Sequence, residues 1–91
     1  MDNFLAHILV IDDDDGIRSL VKKYLNENKF LVTTANSAEN ASEKLKLIEF
    51  DLIILDIMMP GKSGLEFIAE NRKKIHTPII LLTAKGEPNE R

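Results

Sequence analysis

Cysteine and tryptophan are absent from this chain of 91 residues, which excludes a disulfide framework and a thiolate zinc site. Positive charge is not in excess: 12 Lys and Arg against 15 Asp and Glu leave a net charge of -3, without the basic surplus that a nucleic-acid surface needs. No apolar run approaches the length of a membrane span. The opening MDNFLAHILVI is interrupted by charge and lacks the basic start of a signal peptide. The expectation is a cytoplasmic protein with no nucleic-acid or membrane partner through this segment. Repeats and low-complexity stretches are also missing, and the length leaves room for one domain, residues 1–91, and no second. What remains, 44% hydrophobic and 30% charged residues, is the composition of a soluble globular chain.

The hydrophobic residues are distributed with two alternating periods. His7 to Ile11 is a short, β-branched apolar run that stops abruptly at carboxylates, as a buried strand does. From Asp15 the spacing becomes helical, with Ile17, Leu20, Val21, Tyr24 and Leu25 on one side and Asp14 or Asp15 available to cap the first turn. Phe30 to Ala35 reads as a second strand with Phe30, Val32 and Thr34 on one side. Asn36-Ser37-Ala38-Glu39 offers a capping side chain with a glutamate three residues on, ahead of a helix carrying Ala38, Ala41, Leu45 and Ile48. Leu52 to Leu55 is a third strand ending at Asp56, Met59-Pro60-Gly61 is turn chemistry, Leu65 to Lys74 a third helix, and Pro78 to Leu82 a fourth strand ending at Thr83. Strands and amphipathic helices in alternation predict βαβ units and a parallel sheet with right-handed crossovers.

In such sheets ligands sit beyond the carboxyl ends of the strands. Parallel strands would therefore bring Asp12, Asp13, Asp56 and Thr83 to one rim. Three carboxylates together repel one another, and a hard divalent cation is the simplest compensation. Mg²⁺ suits a shallow site of one or two carboxylates plus water and a phosphate oxygen. A calcium loop does not fit the same residues, because placing Gly16 at the sixth loop position puts Ile11 at the first and Lys22 at the twelfth. His7 and His76 have no partner at ligand spacing and read as structural or exposed; Lys85 reads as a solvated loop residue.

The segments ILVIDDD, DLIILDIMMPGKSGLEF and PIILLTAKG resemble, in order and spacing, the receiver domain of two-component response regulators, a CheY-like, flavodoxin-like α/β fold. The resemblance covers residues 7–87. It implies a sheet of order 2-1-3-4 with helices on both faces. It also implies that Asp56 is the phosphoacceptor and that Asp13, Asp56 and the Met58 carbonyl bind Mg²⁺, with Asp12 helping through water. Thr83 would be the switch hydroxyl, and the Ala84 and Met58 amides would be further donors to the phosphoryl group. The implied partner is a sensor histidine kinase or a histidine phosphotransferase, and the implied role is signalling by a phosphoprotein rather than metabolic catalysis.

The family pattern continues with a fourth helix, a fifth strand ending in a lysine, and a fifth helix, none of which these residues match. The chain is therefore expected to be a truncated receiver domain, with the apolar strand Ile79 to Leu82 left uncovered and a homodimer or higher oligomer formed through the exposed sheet. Two rivals stand beside this reading. One is a switch-incompetent interaction module that retains the metal pocket. The other is a phosphohydrolase of the haloacid-dehalogenase type, whose chemistry wants a second aspartate where Asp56-Ile57-Met58 has methionine.

Overall fold

The computed structural model describes residues 3–59, 64–72 and 76–82. In chain order these form β1 (His7–Ile11), α1 (Asp15–Glu27), β2 (Leu31–Ala35), α2 (Ala38–Leu47), β3 (Leu52–Asp56), α3 (Gly64–Asn71) and β4 (Ile79–Leu82). The strands make one parallel sheet in the order β2-β1-β3-β4, the expected arrangement.

Successive residues of a strand face opposite sides of its sheet, and this divides the core in two. Leu9 and Ile11 of β1 and Ile53 and Leu55 of β3 join Ala38 and Ala41 of α2 and Phe67 of α3 in one buried cluster. Ile8, Val10 and Val32 form the other, with Val21 and Leu25 of α1 packed against them. Continuous apolar runs in β1 and β3 are thus what a sheet covered on both faces requires. Cover is unequal. The helix α1 contains no buried residue, and Leu20 and Tyr24 are 68% and 63% exposed. In β4, which pairs with β3, Ile80 and Leu81 are 49% and 43% exposed.

Local chemistry explains the element ends and corrects several expected ones. Asp14 is the N-cap of α1, its carboxylate accepting from the Ile17 amide at 2.9 Å, while Asp15 opens the first turn, where a negative charge favours the helix dipole. At the other end Lys29 adopts φ 72°, its amide donates to the Asn26 carbonyl at 3.1 Å, and the Phe30 amide donates to the Leu25 carbonyl at 3.0 Å. This is a Schellman turn with lysine where glycine is usual. It takes Phe30 out of β2, which begins at Leu31, although Phe30 still packs beside Val32 as its alternation requires. The cap of α2 is Ser37, which accepts from the Asn40 amide at 3.0 Å; Asn40 in turn accepts from the Asn36 amide at 3.2 Å. Asn40, three residues past the actual cap, thus takes the place expected of Glu39, though it accepts from the amide of the residue before the cap and not from that of Ser37. The third helix starts one residue earlier than expected, at Gly64, and its described extent ends at Asn71. Pro78 precedes β4 instead of opening it, and its carbonyl accepts from the Ile53 amide at 3.0 Å.

Candidate functional site

The β1–β3 register pairs Ile11 with Leu55, so the next residues, Asp12 and Asp56, stand side by side at the carboxyl rim. The chain leaves β1 toward α1 on one face and β3 toward α3 on the other, the divergence that defines a topological switch point. Asp12 and Asp56 are buried, 3% and 5% exposed, whereas Asp13 is exposed. Carboxylate oxygens of Asp12, Asp13 and Asp56 lie within 4.8 Å of one another. The three acids expected to converge therefore do.

Each buried carboxylate is held by a local amide. The Asp14 amide donates to Asp12 Oδ1 at 2.9 Å and the Met58 amide to Asp56 Oδ1 at 2.9 Å. The Asp12 amide donates across the sheet to the Ala35 carbonyl at 3.1 Å. Burial pushes the Asp12 carboxyl above its ordinary pKa; the negative charges of Asp56 and Asp13 and a side-chain hydrogen bond to Asp56 push the same way, against the Asp14 amide, which stabilises the anion. The pocket thus carries negative charge that it tolerates poorly.

Two neighbours were not legible as site residues. Arg18 of α1 donates from Nη1 to the Asp12 carbonyl oxygen at 2.8 Å and pairs through Nη2 with the Asp15 carboxylate. Its bonds therefore go to the backbone of the pocket and to a helix residue. The only sequence signal for it was an arginine three residues after an aspartate on one helix face. Met59, expected as turn chemistry, is 7% exposed and packs in the larger cluster, where it anchors the loop after β3, while Met58 beside it is 67% exposed. Gly64 opens α3, and the reason for a glycine there is steric. A Cβ there would lie 2.6 Å from Ile57 Cα and 2.9 Å from the Asp56 carbonyl oxygen, so α3 packs onto the strand end only because the side chain is missing.

His7 is structural, as expected: Nε2 lies 2.8 Å from Thr33 Oγ1, and the ring meets Phe50 edge-on with centroids 4.7 Å apart, at the opposite end of β1 from the acids. His76 is exposed. Thr83, Ala84, Lys85 and Pro60 to Ser63 lie outside the described residues. No helix among the described residues is long and apolar enough to cross a membrane.

Fold and site define a doubly wound α/β domain with an acidic pocket at its topological switch point. The response regulator receiver domain family matches residues 8–91, and the chain belongs to that family: it is the receiver domain of a response regulator. It is 51% identical over 85 residues to Protein PetR of Rhodobacter capsulatus, an alignment covering 93% of this chain and 36% of PetR. It is 44% identical over 84 residues to the transcriptional regulatory protein ResD of Bacillus subtilis, covering 92% of this chain and 35% of ResD. The chain spans about a third of the length of these curated relatives. Among solved structures it is similar to the response regulator TrrA of Thermotoga maritima in complex with Mg²⁺-BeF, with a TM-score of 0.81 and 46% identity over 94% of this chain and 72% of that one. It is also similar to a structure of TrrA in complex with the histidine kinase ThkA, with a TM-score of 0.83 and 44% identity over 96% and 76% of the two chains.

Proposed function

We propose that this chain accepts a phosphoryl group on Asp56 from a phosphohistidine of a sensor histidine kinase or histidine phosphotransferase, with Mg²⁺ held by Asp13, Asp56 and the Met58 carbonyl and, through water, by Asp12. The observation that carries the reading is the convergence of three carboxylates, two of them buried, at the end of β1 and β3. An all-oxygen donor set selects a hard cation. The carboxylate oxygens, within 4.8 Å of one another, are close enough together that these three residues would hold one such ion. When bound, Mg²⁺ would offset the charge that gathers as a phosphoryl group meets the carboxylates.

The remaining chemistry belongs to the chain. An Asp56 carboxylate oxygen attacks phosphorus, the P–N bond to imidazole breaks, and the leaving nitrogen keeps the electron pair, giving an acylphosphate and a free histidine. The Met58 amide, bonded to Asp56 Oδ1 at 2.9 Å, keeps the nucleophile oriented before transfer and is available to the phosphoryl oxygens afterwards. Thr83 supplies the switch hydroxyl and Ala84 a further amide, roles carried over from the family resemblance. The chain acts as one signalling unit in the cytoplasm, not as a metabolic enzyme, and the TrrA–ThkA complex supports a kinase as its partner.

Acetyl phosphate with Mg²⁺, read by intact mass, tests the acceptor. One phosphoryl increment is expected in wild type and none in Asp56→Asn; equal incorporation in both refutes the assignment. Self-association through β4 belongs to the same proposal, supported by the exposure of Ile80 and Leu81. Sedimentation equilibrium should show a dimer or higher oligomer that Leu81→Asp loosens.

A further inference from the structure

The Arg18 guanidinium joins α1 to the backbone of the acidic turn. Its Nη1 bond to the Asp12 carbonyl is 2.8 Å long, its side chain is 18% exposed, and the Asp15 carboxylate that takes the other arm is 90% exposed. An ion pair so open to water contributes little. The shielded, charge-assisted bond to the carbonyl is the stronger tie. That carbonyl belongs to the peptide whose nitrogen is Asp13's, and a peptide unit is planar. Fixing the Asp12 oxygen therefore sets the direction in which Asp13 leaves the sheet. The Asp12 amide on Ala35 and the Asp14 amide on Asp12 Oδ1 fix the peptides on either side.

We infer that Arg18 is a positioning residue, holding the Asp12–Asp13 peptide so that the Asp12 and Asp13 carboxylates meet Asp56 around one cation. The inference rests on the reading of these three acids as a cation site. Geometry and charge make opposite demands here, which gives the inference a sign. A guanidinium beside a cation site repels the cation, so an arginine acting through charge alone weakens Mg²⁺ binding, and its removal strengthens it. An arginine acting through position does the reverse.

The test titrates Mg²⁺ alone into wild type, Arg18→Gln, Arg18→Lys, Asp15→Asn and Asp13→Asn, followed by amide shifts. Both Arg18 variants should bind about tenfold more weakly, the loss typical of removing a group that orients a metal ligand. Lysine keeps the charge, but its side chain ends one bond short of Nη1 and lacks the rigid planar donor aimed at the Asp12 carbonyl, so it should not rescue. Asp15→Asn frees only the exposed arm and should stay within about twofold of wild type. In metal-free protein the Asp14 amide should exchange faster in both Arg18 variants while the Ile53 amide of β3 keeps its protection, which separates a displaced turn from a loss of folding. Wild-type or tighter Mg²⁺ binding in either Arg18 variant overturns the inference, as does Asp15→Asn falling as far as Arg18→Gln. A Mg²⁺ response present in wild type, lost in Asp13→Asn and unchanged in the Arg18 variants defeats the role of Arg18 alone. No response in wild type defeats the cation site and the inference with it.

Discussion

Replacing Asp56 by asparagine should make the metal-free chain more stable, although the proposal gives that residue the central chemical role. The carboxylate oxygens of Asp12, Asp13 and Asp56 lie within 4.8 Å of one another. Two unit charges at that limit repel by about 3.5 kcal/mol at an effective dielectric near 20. Solvent screens the exposed Asp13, and proton uptake relieves part of the strain at Asp12, whose carboxyl is already pushed up by burial. What asparagine releases is therefore about 1 to 3 kcal/mol. The substitution is isosteric, and its oxygen can still accept the Met58 amide that now bonds Asp56 Oδ1. In a domain of this size each kcal/mol moves Tm by about 4 to 8 °C, so thermal unfolding followed by circular dichroism at pH 7 resolves the effect. Mg²⁺ should narrow the gap, raising wild-type stability by about 1.4 kcal/mol at ten times its Kd and leaving Asp56→Asn nearly unmoved. A metal-free variant that melts below wild type, or Mg²⁺ that raises both equally, would refute the charge argument.

Three further outcomes follow from particular contacts. Gly64→Ala should lose about 1 to 3 kcal/mol in urea unfolding, since its methyl would meet Ile57 Cα at 2.6 Å and the backbone would have to move; an unchanged midpoint would show that α3 can slide away freely. Folded Asp12 holds its proton above the ordinary value of 3.8 because of burial, so its contribution to stability is fully present below 3.8 and is lost as pH rises through the folded pKa. Metal-free wild type should therefore fall relative to Asp12→Asn across that window, and parallel pH–stability curves would contradict this. Lys29→Gly should stabilise the chain by about 0.5 to 1 kcal/mol by relieving the left-handed φ of 72° at the end of α1; a lower Tm in the variant would mean that the lysine side chain makes a compensating contact.

Much of this architecture was legible because it depends on patterns local to the chain. The apolar run of β1 that halts at Asp12, the helical spacing from Asp15 to Leu25 and the all-apolar β3 are written in periods of two and 3.6 residues, and alternation of such elements leaves few topologies. The convergence of Asp12, Asp13 and Asp56 followed from the same logic, since parallel strands end at one rim. The cap at Asp14 was likewise readable, because capping is a contact between residues three apart.

Other features depend on which surfaces meet in space. That Glu39 yields its expected place to Asn40 turns on whether the cap is Asn36 or Ser37, and one residue of phase decides which side chain can reach back. Met59 and Met58 are chemically identical neighbours; packing against the larger cluster buries the first and leaves the second open. Gly64 is a glycine because a helix approaches a strand end, and Arg18 gains its place because α1 folds back over the turn that precedes it. The sequence alone determined the elements, their parallel alternation and the three acids, while the strand order β2-β1-β3-β4 was implied by the family resemblance. Only the tertiary structure decided how deeply Asp12 and Asp56 are buried, and hence how strongly their charges act, because desolvation is set by every atom packed around a carboxylate and not by its place in the chain.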